Sequence, residues 1–173
     1  MSSFKYGNLA VASETPDNGK PITMRALVSF LPFLLIVMGG GILIGTATAP
    51  GDWYAALQKP WFNPPNWIFG PVWSVLYVII AFVGWRQWQI DKSSRLMKLW
   101  YLQLGLNFAW SPVFFAAQKP TFALMIILLL LLVVLIFIRL AWRSDRPSSI
   151  LFLPYLAWVS FATALNAAIA VLN

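Results

Sequence analysis

The run FALMIILLLLLVVLIFI, Phe122 to Ile138, contains no polar side chain. With its flanks, over residues 120–142, it is long enough for the ~20 apolar residues that a helix needs to cross a bilayer. It carries no chemical message of its own and reads as lipid-facing scaffold. Working outward, the turn Gln118-Lys119-Pro120 precedes it and a polar turn, Ser144 to Ser149, follows it. Further apolar spans fall at residues 24–47, 67–90, 95–117 and 150–172. The expected fold is therefore all-α: an integral membrane bundle of five transmembrane helices, preceded by a polar, flexible tail over residues 1–23. That tail lacks the apolar core and cleavage site of a signal peptide.

Composition narrows the chemistry. Among 173 residues, 60% are hydrophobic and 10% charged, far from the soluble average. There is no cysteine and no histidine, which excludes disulfides and thiolate zinc sites and leaves a haem iron without its usual ligand. No metal site and no required cofactor are expected. The carboxylates Glu14, Asp17, Asp52, Asp91 and Asp145 all fall outside the spans or at their edges, so no buried acid pair is available and no catalytic residue is assigned.

The cations set the orientation. The tail and first helix start (Lys5, Lys20, Arg25), the second-to-third turn (Arg86, Lys92, Arg95, Lys98) and the fourth-to-fifth turn (Arg139, Arg143, Arg146) hold ten of the twelve Lys and Arg. By the positive-inside rule the N-terminus is cytoplasmic, while the first loop and the C-terminus face the other side, the periplasm for a bacterial inner membrane. Cations placed this way reflect topology, and nucleic acid is not an expected partner.

Between the first two spans lies WYAALQKPWFNPPNWIFGPVWSVLY, Trp53 to Tyr77. Asp52 is placed to cap a short helix over Trp53 to Leu57, which Lys59-Pro60 ends. Asn63-Pro64-Pro65-Asn66 must be extended, because each proline fixes its own φ and disfavours helix in the residue before it. The loop is thus ordered, rich in proline and tryptophan, and forms the mouth of a pocket. Trp73 and Tyr77, at i and i+4, begin a wall of it.

Polar side chains inside hydrocarbon are costly and should face a partner or a cavity. In the third span Asn107, Trp110 and Phe114 share one helical face; in the fifth, Tyr155, Trp158, Ala162 and Asn166 do so. Asn107 and Asn166 serve equally well as interhelical hydrogen-bond partners or as ligand contacts. Trp67, Trp85, Trp88, Trp100 and Trp142 lie near span ends and read as interfacial anchors. Gly41 and Gly45 allow a close helix approach, either within the bundle or at a dimer face. Three aromatic faces around one space suit a flat hydrophobic ligand, whether sterol, quinone, tetrapyrrole or lipid.

The loop pattern W-Y-x-x-L-x-K-P-x-x-x-P-P-x-W-x-F-G-P-V-W-x-x-L-Y resembles the signature of the tryptophan-rich sensory/translocator protein family, TspO/MBR. LNFAWSPVFF (Leu106–Phe115) and PYLAWVSFATALN (Pro154–Asn166) resemble that family's third-helix and fifth-helix motifs, in the expected order. The resemblance implies a five-helix bundle, a homodimer, and binding of protoporphyrin IX, haem-like tetrapyrroles, benzodiazepine-type drugs and, in eukaryotic members, cholesterol. Family ligand contacts fall on Tyr54, Trp73, Asn107, Trp110, Trp158 and Ala162, with Trp61 and Trp67 in the loop that lids the site. Tyr77 and Tyr155 join them from the helical faces above.

What the resemblance implies for function is a receptor or transport role in tetrapyrrole regulation or stress response. Lys59, Asn63 and Asn66 are the groups at the mouth placed to meet ligand propionates. The alternatives are light- and oxygen-dependent porphyrin breakdown, or transport of a lipid or sterol. The sequence departs from the family in its long polar tail and in lacking the tyrosine-plus-cation sterol pattern at the end of the fifth helix, which makes cholesterol a poor candidate.

Overall fold

The computed structural model describes residues 22–173. The tail expected over residues 1–23 lies outside them, apart from Ile22 and Thr23, which open the first helix. All described regular structure is helical, and the helices chain into five rods. The first is α1 (Ile22–Leu34), a π turn (Leu35–Gly39) and α2 (Gly40–Ala47). A connection holding the short α3 (Asp52–Ala56) leads through a 3-10 turn (Asn66–Ile68) into α4 (Phe69–Ile90), the second rod. The third is α5 (Arg95–Ser111), running into a π turn (Pro112–Ala116). The fourth is α6 (Pro120–Ser144), and α7 (Arg146–Leu151) with α8 (Leu153–Leu172) makes the fifth.

Val28–Ala47, Asn66–Ile90, Pro120–Ser144 and Arg146–Leu172 are long and apolar enough to cross a membrane. The third rod, expected as an equivalent span, falls short of that mark; Arg95, Lys98, Gln103 and Asn107 lower its mean hydropathy. Gln103 and Asn107 are buried inside the bundle, where α5 packs against α6, α4 and α2. The proline at position 112 removes a backbone donor at the end of α5, and the chain answers with a wider turn: the Ala117 amide reaches the Pro112 carbonyl at 2.8 Å. Gln118, at φ 56°, ends the rod in the left-handed region.

α6 corrects the expectation of a lipid-facing scaffold. It lies against both α5 and α8 and buries Ala123, Ile127, Leu130, Val134, Phe137 and Ala141. Only its other face, with Phe122, Met125, Leu129 and Leu132, is exposed. Lipid and protein core are equally apolar, so a uniformly apolar run does not reveal which side faces which.

One further expectation changes. Trp100 is buried in place of anchoring at the interface; its indole N–H donates to the Ile80 carbonyl at 2.9 Å, and its ring fills the space that a side chain on Gly84 would need. Asp145, between the fourth and fifth spans as expected, is nevertheless buried within the protein, 5% exposed. It accepts from Arg86 Nε at 3.0 Å and Nη2 at 2.7 Å, from Gln87 Nε2 at 2.7 Å and from the Ser148 hydroxyl at 2.5 Å. Burial pushes this carboxyl's pKa up, but the hydrogen bonds from Arg86, Ser148 and Gln87 and the guanidinium charge outweigh it and hold the group below the ordinary carboxylate value. This node ties the end of α4 to the joint between α6 and α7.

Candidate ligand cavity

At the opposite end from Asp145, a cavity of about 560 Å³ opens beneath the connection that carries α3. Small-molecule sites span roughly 300–1,000 Å³, so it is large enough for an organic ligand. Trp73 and Tyr77 of α4 form one wall, their rings 5.3 Å apart and tilted by 31°. Trp110 and Phe114 of the third rod form a second, stacked at 5.3 Å and 28°. α8 contributes Ala162 and Asn166, and α2 contributes Gly41 and Gly45, with Thr48 just past its end. Thr48 and Ser111 share a hydrogen bond at 2.7 Å, which pins the end of α2 to the end of α5.

The polar groups behind this surface are mostly spent on each other. Asn107 accepts from Tyr77 Oη at 3.4 Å and donates through Nδ2 to Tyr155 Oη at 3.0 Å, and Tyr155 in turn donates to Gln103 Oε1 at 2.9 Å. Trp110 Nε1 donates to Asn166 Oδ1 at 3.0 Å, while Asn166 Nδ2 donates to the Pro120 carbonyl at 2.8 Å. Asn107 and Asn166 therefore bridge helices and also line the cavity, so the two sequence readings coexist.

Of the residues assigned from sequence, Tyr54, Asn66, Trp73, Tyr77, Asn107, Trp110 and Ala162 line one space. The others do not. Tyr155 is fully buried behind Asn107 as its hydrogen-bond partner. Trp158 packs edge-on against Phe69, at 5.8 Å, and beside Phe161, at 5.4 Å; Phe69, itself a lining residue, takes its place in the wall. Helical spacing places Trp158 on the correct face of α8 but not at the cavity's depth. Trp61 is 95% exposed and Trp67 is 72% exposed, and neither is among the residues lining the cavity.

The lid is braced from within. Tyr54 is buried and donates its hydroxyl to Asn63 Oδ1 at 3.1 Å; burial alone raises its pKa. The Lys59 ammonium donates to the Ala55 and Leu57 carbonyls at 3.0 and 3.2 Å and sits 4.8 Å from the Tyr54 ring centre. Asp52 begins α3 without a side-chain capping bond. Asn173 holds the loop from the far end of the chain: its side-chain oxygen accepts from the Gln58 amide at 3.0 Å and its nitrogen donates to the Gln58 carbonyl at 3.1 Å.

Sequence reasoning missed Phe69, Phe108, Thr48 and Ser111 as lining residues. Phe108 lies next to the Asn107 face, and the two hydroxyls carry no signal beyond their place near rod ends. Gly41 was legible as a site of close approach, though not of what approaches, whereas a Cβ at Gly45 would have no neighbour within 4 Å.

Comparison with known proteins gives consistent matches. Residues 33–172 match the model of the TspO/MBR family. The chain is 40% identical over 152 residues to the tryptophan-rich protein TspO of Archaeoglobus fulgidus, covering 87% of this chain and 97% of that protein. It is 34% identical over 137 residues to the tryptophan-rich sensory protein of Cereibacter sphaeroides, covering 79% and 86%. It is 36% identical over 135 residues to the human translocator protein, covering 73% and 79%.

Proposed function

Since this chain belongs to the TspO/MBR family of integral membrane proteins, we propose that it is a receptor or transport protein that binds a porphyrin, or another flat hydrophobic ligand, in the cavity beneath the α3 lid. One observation carries the reading: two aromatic pairs, Trp73 with Tyr77 and Trp110 with Phe114, flank a cavity of about 560 Å³ in which Tyr77, Asn107, Trp110 and Asn166 are already hydrogen-bonded to one another or to neighbouring helices. Such a surface offers ring faces for stacking and little for an ionic ligand to gain. Propionates would remain at the mouth, near Asn66 and the third, unused donor of Lys59.

The cation-rich end of the bundle lies in the cytoplasm by the positive-inside rule, so the cavity and lid face the opposite side of what we take to be a bacterial inner membrane. A homodimer fits the family reading, but Gly41 is occupied by Tyr77 within the chain, so its close approach is not available to a second copy.

Titration of the detergent-solubilised protein with protoporphyrin IX, followed by absorbance, tests the proposal. Saturable binding that weakens several-fold in a folded Trp73→Ala, Trp110→Ala variant is expected. Unchanged affinity in that variant would remove the cavity from consideration. Photo-oxidative breakdown of the ligand is a second reading, favoured only by the two tryptophans that face the space; it requires a bilin-like absorbance that grows under light and oxygen and not in the dark.

A further inference from the structure

The end of the bundle opposite the cavity carries charge that the described residues do not neutralise. There α5 begins beside the end of α6, with which it packs, and α7 follows α6 directly. Lys92, Arg95, Lys98, Arg139, Arg143 and Arg146 are all exposed at this end. Among the described residues the acids available to them are Asp91 and Asp145. Asp145 is buried and committed to Arg86, in the one ion pair that the described residues form. Asp91 accepts from the Ser93 amide in its own turn.

The fourth rod concentrates this excess. Arg139 and Arg143, at i and i+4, project as like charges from one face of α6, an arrangement that is unfavourable without an anion between or beside them. Trp142 stands next to them, 47% exposed, with the Arg146 guanidinium 4.8 Å from its ring centre. Across the same end the Lys92 ammonium lies 4.9 Å from the Trp88 ring. Indole rings of this kind settle at the headgroup level of a bilayer, which puts the unpaired guanidinium groups at the depth of lipid phosphates.

We propose that Arg139, Arg143 and Arg146, with Trp142 as the floor, form a binding site for the headgroup of an anionic phospholipid. Topology alone asks only for cations on one side. It does not ask for two arginines one turn apart, without an ion-pair partner among the described residues, beside an exposed tryptophan, and charge complementarity names the occupant. Each cation near an anionic bilayer surface contributes about five-fold to binding, and salt weakens the effect.

The test uses the full chain in a neutral detergent, with dioleoyl phosphatidylglycerol or dioleoyl phosphatidylcholine titrated into the micelles and thermal unfolding as readout. Phosphatidylglycerol is expected to raise the melting temperature with a saturating midpoint, and phosphatidylcholine to do so much less. The midpoint should move about five-fold to higher lipid in Arg139→Gln or Arg143→Gln, and further in the double variant, while Lys119→Gln at the opposite end leaves it in place. Equal stabilisation by phosphatidylcholine, an unmoved midpoint in the double variant, or an equal shift in Lys119→Gln would overturn the site. Inorganic phosphate giving the same stabilisation as the lipid would also overturn it, since a free anion would then suffice. If the double variant does not survive extraction, native mass spectrometry of lipids retained by Arg143→Gln decides: retention of phosphatidylglycerol equal to that of the parent chain counts against the proposal, and its loss supports it.

Discussion

The ring of Tyr77 occupies the space where Gly41 would carry a side chain, so that a methyl group at position 41 would overlap the ring. Gly45, one turn further along α2, has open space in the same direction. The two glycines of one motif therefore do different things. Gly41→Ala should push Tyr77 off Asn107 and destabilise the protein by about 1–3 kcal/mol through overpacking. Gly45→Ala should be neutral, or stabilising by up to about 1 kcal/mol from helix propensity. Thermal unfolding of the two variants side by side is the check; equal losses would show that the pair acts as one contact.

Asp145 supplies a pH dependence with a definite sign. Its folded-state pKa is depressed, so its contribution is fully present above the unfolded value of about 3.9 and is lost as pH falls through the folded value. Stability should decline below about pH 4, and Asp145→Asn should remove that part of the decline. At neutral pH the same substitution should cost about 1–3 kcal/mol. That is less than for a fully buried pair, because the Arg86 side chain is 38% exposed and can recover water.

Asn173 and Gln58 form a two-hydrogen-bond clamp across the lid. Asn173→Ala should speed amide hydrogen exchange at Gln58 and raise both the association and the dissociation rate of a bound porphyrin, with a stability loss of about 1–2 kcal/mol. Exchange that remains as slow as in the parent chain would mean that the lid is held elsewhere.

Trp73 and Trp110 line the cavity and Trp158 does not. Replacing either of the first two by alanine should weaken porphyrin binding by about 0.5–1.5 kcal/mol, a few-fold to roughly ten-fold. Trp158→Ala should chiefly lower stability, since the ring is packed between Phe69 and Phe161. A titration in which Trp158→Ala is the weakest binder of the three, with unfolding unchanged, would reverse this assignment.

Much of this arrangement was legible in the residues. Hydrocarbon length located the rods, prolines and turn residues located their ends, and the step from Asn107 to Trp110 located one wall, because each depends on local geometry. What was not legible has physical causes. Lipid and core are the same to an apolar side chain, so Phe122 to Ile138 could not announce which face packs on α5 and α8. Depth along an axis is also invisible to a helical wheel: Trp158 has the angle of a cavity residue but the wrong height. Asp145 read as part of a polar turn, and its burial was not legible because its partners, Arg86 and Gln87, lie far away in sequence.

The π turn at Leu35–Gly39 acts as a phase shifter. Each turn of this kind holds about one residue more than an α turn, so the faces of α1 and α2 are out of step by roughly the 100° that one residue subtends. Phe33, before it, addresses Trp88 and Trp100 at the cation-rich end; Gly41, after it, addresses Tyr77 at the cavity. One continuous helix thus serves two partner surfaces with independent registers. Deleting a single residue there would keep the rod helical and its length nearly unchanged, yet rotate one of its two surfaces out of alignment.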